Sequence, residues 1–291
     1  MKLRNLMKIQ DFNLIEKISS KIILIKLIDV KGSSPREKDT NMCIYKNGQF
    51  GTIGGGELEY RTIKEAKKML SEKNEINKIL EFPLGPSLGQ CCGGYVKVKL
   101  IKFSNGKQLM NKNKLKEELI ENNKNLYIFG AGHISKAIIE KLDGTGFNVF
   151  VIDSRQKIIS EINYNFVTSI LAKEPKLIIK NIPSESYCLI MTHSHKIDLS
   201  ICYSLLKMKD FSYIGLIGSK TKKIRFTKKL QEMGLNKNLI NKIECPIGIT
   251  GIKGKEPDII AISIIARLLE FKSSLENKYK HLRLIKGSKN G

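Results

Sequence analysis

Residues 126–153, LYIFGAGHISKAIIEKLDGTGFNVFVID, run from a short apolar stretch through a Gly-x-Gly turn and a helical stretch to a second apolar run closed by Asp. Few folds accommodate that order. Gly130 and Gly132 permit a tight turn from strand to helix, and the helix start at His133 presents amide donors to a phosphate. Asp153 then stands at the end of the next strand, where a dinucleotide site carries its ribose-binding acid. Ser135 occupies the third fingerprint position, normally Gly or Ala, which weakens the match to NAD. The plain alternative is a Rossmann-type turn that binds no nucleotide. Arg155 is either a phosphate partner or a surface base.

Strand and helix keep alternating downstream. Short apolar runs at 126–130, 148–153, 187–192 and 213–218 with helical segments between them predict a parallel sheet covered on both faces. In MTHSH, His193 and His195 fall just past the end of a strand, where ligands of open α/β sheets gather. A zinc site there lacks further ligands at the usual spacings, and Ser194 and Asp198 also suit a helix start. LIGSKTKKIRF repeats the arrangement with Gly218, Ser219, Lys220 and Arg225, as a phosphate seat or as a simple helix cap by Ser219. CPIGITGIKGKEPD then places Cys245, several glycines and Lys255-Glu256 before a final apolar helix. So many glycines in one loop carry an entropic cost that suits unusual torsions or close approach to a ligand.

The N-terminal third reads as a smaller α/β unit. KIILIKLIDV is a strand running into KGSSPR, which offers Ser33, Ser34 and Arg36. A hairpin centred on Asn47-Gly48 leads to Gly54-Gly55-Gly56 and a helix whose first turn holds Glu57 and Glu59. The acids suit the positive end of the helix, while the triple glycine suggests a backbone cradle for an anion. LGQCCGG brings Gln90, Cys91 and Cys92 ahead of the strand YVKVKLIKF. Adjacent residues of a strand face opposite sides, adjacent cysteines fit neither zinc spacing nor an unstrained disulfide, and one thiol facing a ligand is the simplest arrangement. The domains are therefore expected at 1–103 and 126–272, joined by a polar linker at 104–125 and followed by a basic tail at 273–291.

Composition narrows the partners. The net charge of +23 comes mostly from dispersed lysine, only seven of the 51 bases being arginine, and Trp is absent. Lys, Asn and Ile share A/T-rich codons, so genome bias accounts for much of this charge, and nucleic acid is not the expected partner. Apolar runs fall short of a membrane span, no targeting segment stands out, and six cysteines without a secretory signal suggest free thiols in a reducing cytoplasm.

Taken in order, GSSPR, GTIGGGELE, LGPSLGQCCGG, FGAGHISKAI, DSR, MTHSH, YIGLIGSKTK and CPIGITGIKGKEPDIIA resemble the XdhC/CoxI family, the xanthine dehydrogenase accessory proteins. The resemblance spans nearly all of residues 15–270. It implies an α/β protein with a small N-terminal CoxI-type domain followed by a Rossmann-like parallel-sheet domain. It also implies a chaperone rather than an enzyme. Such a protein transiently binds the molybdenum cofactor (molybdopterin), protects it, supports its sulfuration with a cysteine desulfurase, and inserts it into the molybdenum subunit of xanthine dehydrogenase or a related hydroxylase. A homodimer is the implied state, with no metal site of its own. The loop residues above, from Ser33 to Glu256, are then the candidate cofactor contacts. The competing reading is an NAD(P)-binding oxidoreductase using Gly130, Gly132 and Asp153, although no Tyr-x-x-x-Lys proton relay accompanies them.

Overall fold

The structure is a computed structural model that describes residues 9–34, 36–72, 76–84, 94–113, 123–208 and 210–287. The chain divides after Asn123 into two compact units.

The first unit is built on β1 (Ile22–Lys31), whose β-branched and leucine side chains alternate between two buried faces. Ile23, Ile25 and Leu27 pack with Leu58, Ala66 and Met69 of α2 (Gly56–Ser71). Ile22 and Leu24 pack with Phe12 and Ile15 of α1 (Ile9–Glu16) and with Leu109 of α3 (Gly106–Asn113). Part of the polar passage expected as a linker is thus helical and closes this core, its apolar signal being little more than one buried leucine. The other strands are β2 (Asn41–Tyr45), β3 (Gly48–Gly51), β4 (Asn77–Leu84) and β5 (Gly94–Phe103). They form an antiparallel sheet in the order β3-β2-β1-β5-β4.

Register decides where the motif loops lie. Met42 pairs with Gly51, Lys31 with Tyr95 and Leu84 with Gly94. The ends of β1, β3 and β4 and the start of β5 therefore lie at one end of the sheet, bringing together KGSS, TIGGG and Gly94.

The second unit is a parallel sheet of β6 (Lys124–Phe129), β7 (Phe147–Asp153), β8 (Val167–Leu171), β9 (Tyr187–Ile190), β10 (Tyr213–Leu216) and β11 (Ile243–Glu244). Their order, β8-β7-β6-β9-β10-β11, reverses between β6 and β9, which is the doubly wound Rossmann arrangement. On one face pack α4 (His133–Leu142) and α9 (Pro257–Gly287). On the other lie a 3-10 segment (Pro175–Asn181), α6 (His195–Met208) and α7 (Lys220–Glu232). Short helices α5 (Gln156–Ile159) and α8 (Lys237–Ile240) complete the unit. Strands β8 and β11 carry too little apolar pattern to be expected from the sequence, whereas Tyr187–Ile190 and Tyr213–Leu216 are buried throughout.

Candidate functional site

At the carboxyl edge of the parallel sheet, the two fingerprint glycines have different jobs. Gly130 has φ +110°, and a Cβ there would lie 2.4 Å from the Met191 carbonyl oxygen. Its missing side chain is what lets the loops after β6 and β9 touch. Gly132 precedes α4 with nothing within 4 Å of a would-be Cβ, and no side chain caps the helix. The start of α4 thus lacks a side-chain cap and has room beside Gly132. Ser135, the departure from the fingerprint, is buried and donates to the Gly130 carbonyl at 2.6 Å, so it clips the turn.

Asp153 closes β7 and is fully engaged. Its Oδ2 accepts from the Ala131 N–H at 2.8 Å and from Arg155 Nη2 at 2.7 Å. Oδ1 accepts from Arg155 Nε and from the Arg155 N–H, both at 2.9 Å. Burial alone raises a carboxyl's pKa, but the Arg155 guanidinium and the two amides outweigh it and hold Asp153 at about 2. Beside it, Gly130, Asp153, Ser154, Thr192 and His193 line a crevice with no room for a water molecule, and so closed to a dinucleotide as it stands. A ribose diol reaching Asp153 has to displace Arg155.

The next two loops are bolted together by a buried pair. Asp198 on α6 accepts from the Thr192 N–H at 3.0 Å, the Thr192 hydroxyl at 2.6 Å and Lys222 Nζ at 2.7 Å. Lys222, on α7, also donates to the Ile217 carbonyl at 2.8 Å. The loop of His193 and the loop of Gly218 are thereby held in one arrangement. A Cβ on Gly218 would come within 2.5 Å of Lys222 Cδ, so glycine there makes room for the lysine stem. Ser219 caps α7, accepting from the Lys222 N–H at 3.2 Å, and Lys220 is exposed. His193 and His195 are exposed, the His195 ring standing edge-on to Phe226 with centroids 6.3 Å apart. Lys255 and Glu256 lie exposed ahead of α9, where Glu256 accepts from the Lys255 N–H at 3.0 Å. The Cys245 thiol is 3.9 Å from the Ser219 carbonyl oxygen, and burial pushes its pKa up.

In the first unit the glycine cradle already holds a carboxylate. Gly54, Gly55 and Gly56 all have positive φ, at 124°, 73° and 63°. They curl the backbone around Glu59, whose Oε2 accepts from the Ile53 N–H at 2.9 Å, the Gly55 N–H at 3.0 Å and the Thr52 hydroxyl. Burial raises the Glu59 pKa, yet the Thr52 hydroxyl and the Gly55 and Ile53 amides bring it below the ordinary range. Glu57 instead pairs with Arg61 at 2.6 Å on the helix surface. Ser33 and Arg36 are exposed, and the Ser34 hydroxyl is buried with no hydrogen-bond partner among the described residues. A Cβ on Gly94 would lie 2.1 Å from the Ser33 carbonyl oxygen, so the chain leaving QCCGG passes directly over the serine loop. Gln90, Cys91 and Cys92 themselves lie outside the described residues.

Sequence reasoning missed three residues: Glu59 as the occupant of the cradle, and the Asp198–Lys222 bolt. For Glu59 the spacing Thr52-Ile53-Gly-Gly-Gly-x-x-Glu was a signal. The bolt spans 24 residues and leaves no local pattern.

Comparison with known proteins follows the same division of the chain. Residues 19–82 match the description "XdhC and CoxI family", and residues 126–268 match "XdhC Rossmann domain". The chain belongs to the XdhC and CoxI family. Among XdhC-like relatives, the protein YqeB of Escherichia coli K12 is 24% identical over 266 residues, which are 89% of this chain and 45% of that protein. The chain therefore spans about half the length of that curated relative. The crystal structure of a xanthine dehydrogenase from Bacillus halodurans shares the fold, with a TM-score of 0.74 at 20% identity over 91% of this chain and 96% of that one. No described helix is long and apolar enough to cross a membrane, and no group of three His, Cys, Asp or Glu among the described residues is placed to hold a metal.

In this XdhC-family chain the candidate residues fall into one group on each unit. On the parallel sheet an uncapped helix start, Arg155, Lys220 and two histidines share one edge. On the antiparallel sheet the Ser34 hydroxyl, without a hydrogen-bond partner among the described residues, shares one end with the cradle that Glu59 fills.

Proposed function

We propose that this protein is a maturation factor for a molybdenum hydroxylase of the xanthine dehydrogenase type, which holds the molybdenum cofactor and hands it to that enzyme. Family membership supports the maturation role. The observation that carries cofactor binding is the open start of α4 at Gly132, surrounded by loops held rigid from below by the Asp198–Lys222 pair. When bound, the cofactor brings a molybdenum centre on two dithiolene sulfurs and a pterin carrying a phosphate. The amides after Gly132, Arg155, Ser219 and Lys220 would hold the phosphate, and His193 and His195 would offer hydrogen bonds to the pterin. In the first unit, Ser33, Ser34, Arg36 and the Gly54–Gly56 turn, which would have to release Glu59, would offer a set of contacts of their own, with Gln90 and one of Cys91 and Cys92 from the segment outside the described residues. Lys255 and Glu256 flank the site.

On this reading the chain works as a carrier, in a homodimer, between a cysteine desulfurase that sulfurates the cofactor and the molybdenum subunit that receives it, in the cytoplasm. Cells lacking the protein should accumulate xanthine dehydrogenase with little activity, restored by wild type and not by a variant with both Cys91 and Cys92 replaced by Ala. Fully active enzyme in its absence contradicts the maturation role.

Nucleotide binding at Gly130, Gly132 and Asp153 is the second reading, favoured by the strand order and the glycine turn. The closure of Arg155 on Asp153 weighs against it. Calorimetry with NAD and NADP separates the two: micromolar binding with turnover favours the oxidoreductase.

A further inference from the structure

Two adjoining cavities run along the outer face of α6, and neither belongs to the loops described above except through His195. The larger, about 570 Å³, has a floor of Leu177, Leu199, Tyr203, Met208 and Met233. The other, about 460 Å³, continues from the shared Leu199 and Lys196 to Phe226. On α6 the lining residues 196, 199, 200, 203, 204 and 208 fall on one helical stripe, so the groove follows the helix for most of its length. Leu177, Met208 and Met233 are 54%, 49% and 45% exposed, unusual for large apolar side chains and grouped here in one place.

The rim has one sign. Lys176, Lys180, Lys196, Arg225 and Lys229 line the two cavities, and no Asp or Glu lines either. Glu174 lies nearby, 3.3 Å from Lys176, and is largely exposed. An apolar, methionine-bearing floor between basic walls matches one secondary structure well: an amphipathic helix whose apolar stripe is flanked by acids. A groove along the 14 residues of α6 is about 20 Å long, enough for about four turns of such a helix. A second copy of this chain is a poor occupant of this groove, because its lysine-rich helices would meet a rim of Lys and Arg, which leaves other faces for a dimer. Nucleic acid is also a poor fit, since most of the floor is aliphatic and Arg225 is the single arginine on the rim.

We propose that this groove docks an acidic amphipathic helix of a partner protein. The inference goes beyond cofactor binding and rests on the maturation reading only for why a partner is needed. A labelled synthetic peptide of about four helical turns, with Leu on one face and Glu beside it, is titrated into the full-length protein and followed by anisotropy, next to a scrambled peptide of the same composition. The expected result is at least about tenfold tighter binding of the amphipathic peptide. Leu177→Glu and Met233→Glu should abolish that preference, while Ile224→Glu, exposed on α7 outside the groove, should not. Equal binding of both peptides, unchanged binding by both groove variants, tighter binding of an oligonucleotide at the groove, or a dimer dissolved by Met233→Glu each overturns the proposal. Cofactor content is measured in the same variants. Normal content with lost peptide binding separates this groove from the cofactor site, and absence of cofactor from every variant and wild type counts against the maturation reading alone.

Discussion

Asp198 and Lys222 form a buried ion pair of 2.7 Å that ties the loop after β9 to the loop after β10. Each partner is further satisfied, Asp198 by Thr192 and Lys222 by the Ile217 carbonyl, so the pair is fully solvated by protein. Removing one partner leaves a charge in the interior without compensation. Asp198→Asn and Lys222→Met should each cost about 3–5 kcal/mol, and the double variant should cost less than their sum. Urea unfolding of the four proteins checks this; additive losses would mean the two residues act independently.

The fingerprint glycines should separate under mutation. Gly130→Ala pushes a methyl to 2.4 Å from the Met191 oxygen at a φ of +110°, so it should destabilise the fold strongly, by about 3 kcal/mol or more. Gly132→Ala meets no atom within 4 Å and has φ −76°, so thermal stability should change by no more than about 0.5 kcal/mol. If α4 receives a phosphate, Gly132→Ala should nevertheless weaken ligand retention. Equal melting temperatures for the two variants would refute the assignment of Gly130 to fold and Gly132 to binding.

Acid should find Asp153. Its pKa is about 2 in the folded protein against an ordinary 3.8, so its stabilisation is complete above about pH 4 and is lost as the pH falls through about 2. The lowering corresponds to about 2 kcal/mol for this buried group. Asp153→Asn should be less stable than wild type at neutral pH, with the gap closing between about pH 4 and pH 2. A gap that stays constant down to pH 2 would place the loss elsewhere.

Emptying the glycine cradle should be reversible by an added anion. Glu59→Ala removes the acceptor of the Ile53 and Gly55 amides and should cost about 1–3 kcal/mol. Acetate or formate at high concentration should recover part of that loss in a thermal melt, and should do nothing for wild type. Identical responses of the two proteins would show that the turn does not bind carboxylate.

The Rossmann unit was legible in the sequence because β6, β7, β9 and β10 are buried on both faces and leave unbroken apolar runs. The edge strand β4 was not, since alternate residues such as Ile79 and Glu81 face solvent and dilute its pattern. The polar passage reads at most as an exposed helix, and that α3 closes a core escaped for a similar reason, a single buried Leu109 amid Lys, Gln and Asn. The glycine loops announced themselves, but not their occupants. Glu59 looked like a helix-dipole acid, and Asp153 like a free ribose acceptor, because hydrogen bonds that satisfy a carboxylate from several loops have no local signature.

Cofactor binding is tested most directly by the pterin content of the purified protein. The full-length protein is isolated from a cofactor-replete extract, bound pterin is oxidised to its fluorescent derivative, and the yield is compared with that of an unrelated basic protein. The account predicts pterin well above that control, reduced by Gly132→Ala and by replacement with Ala of one, not both, of Cys91 and Cys92 tested singly. Pterin no higher than the control contradicts it.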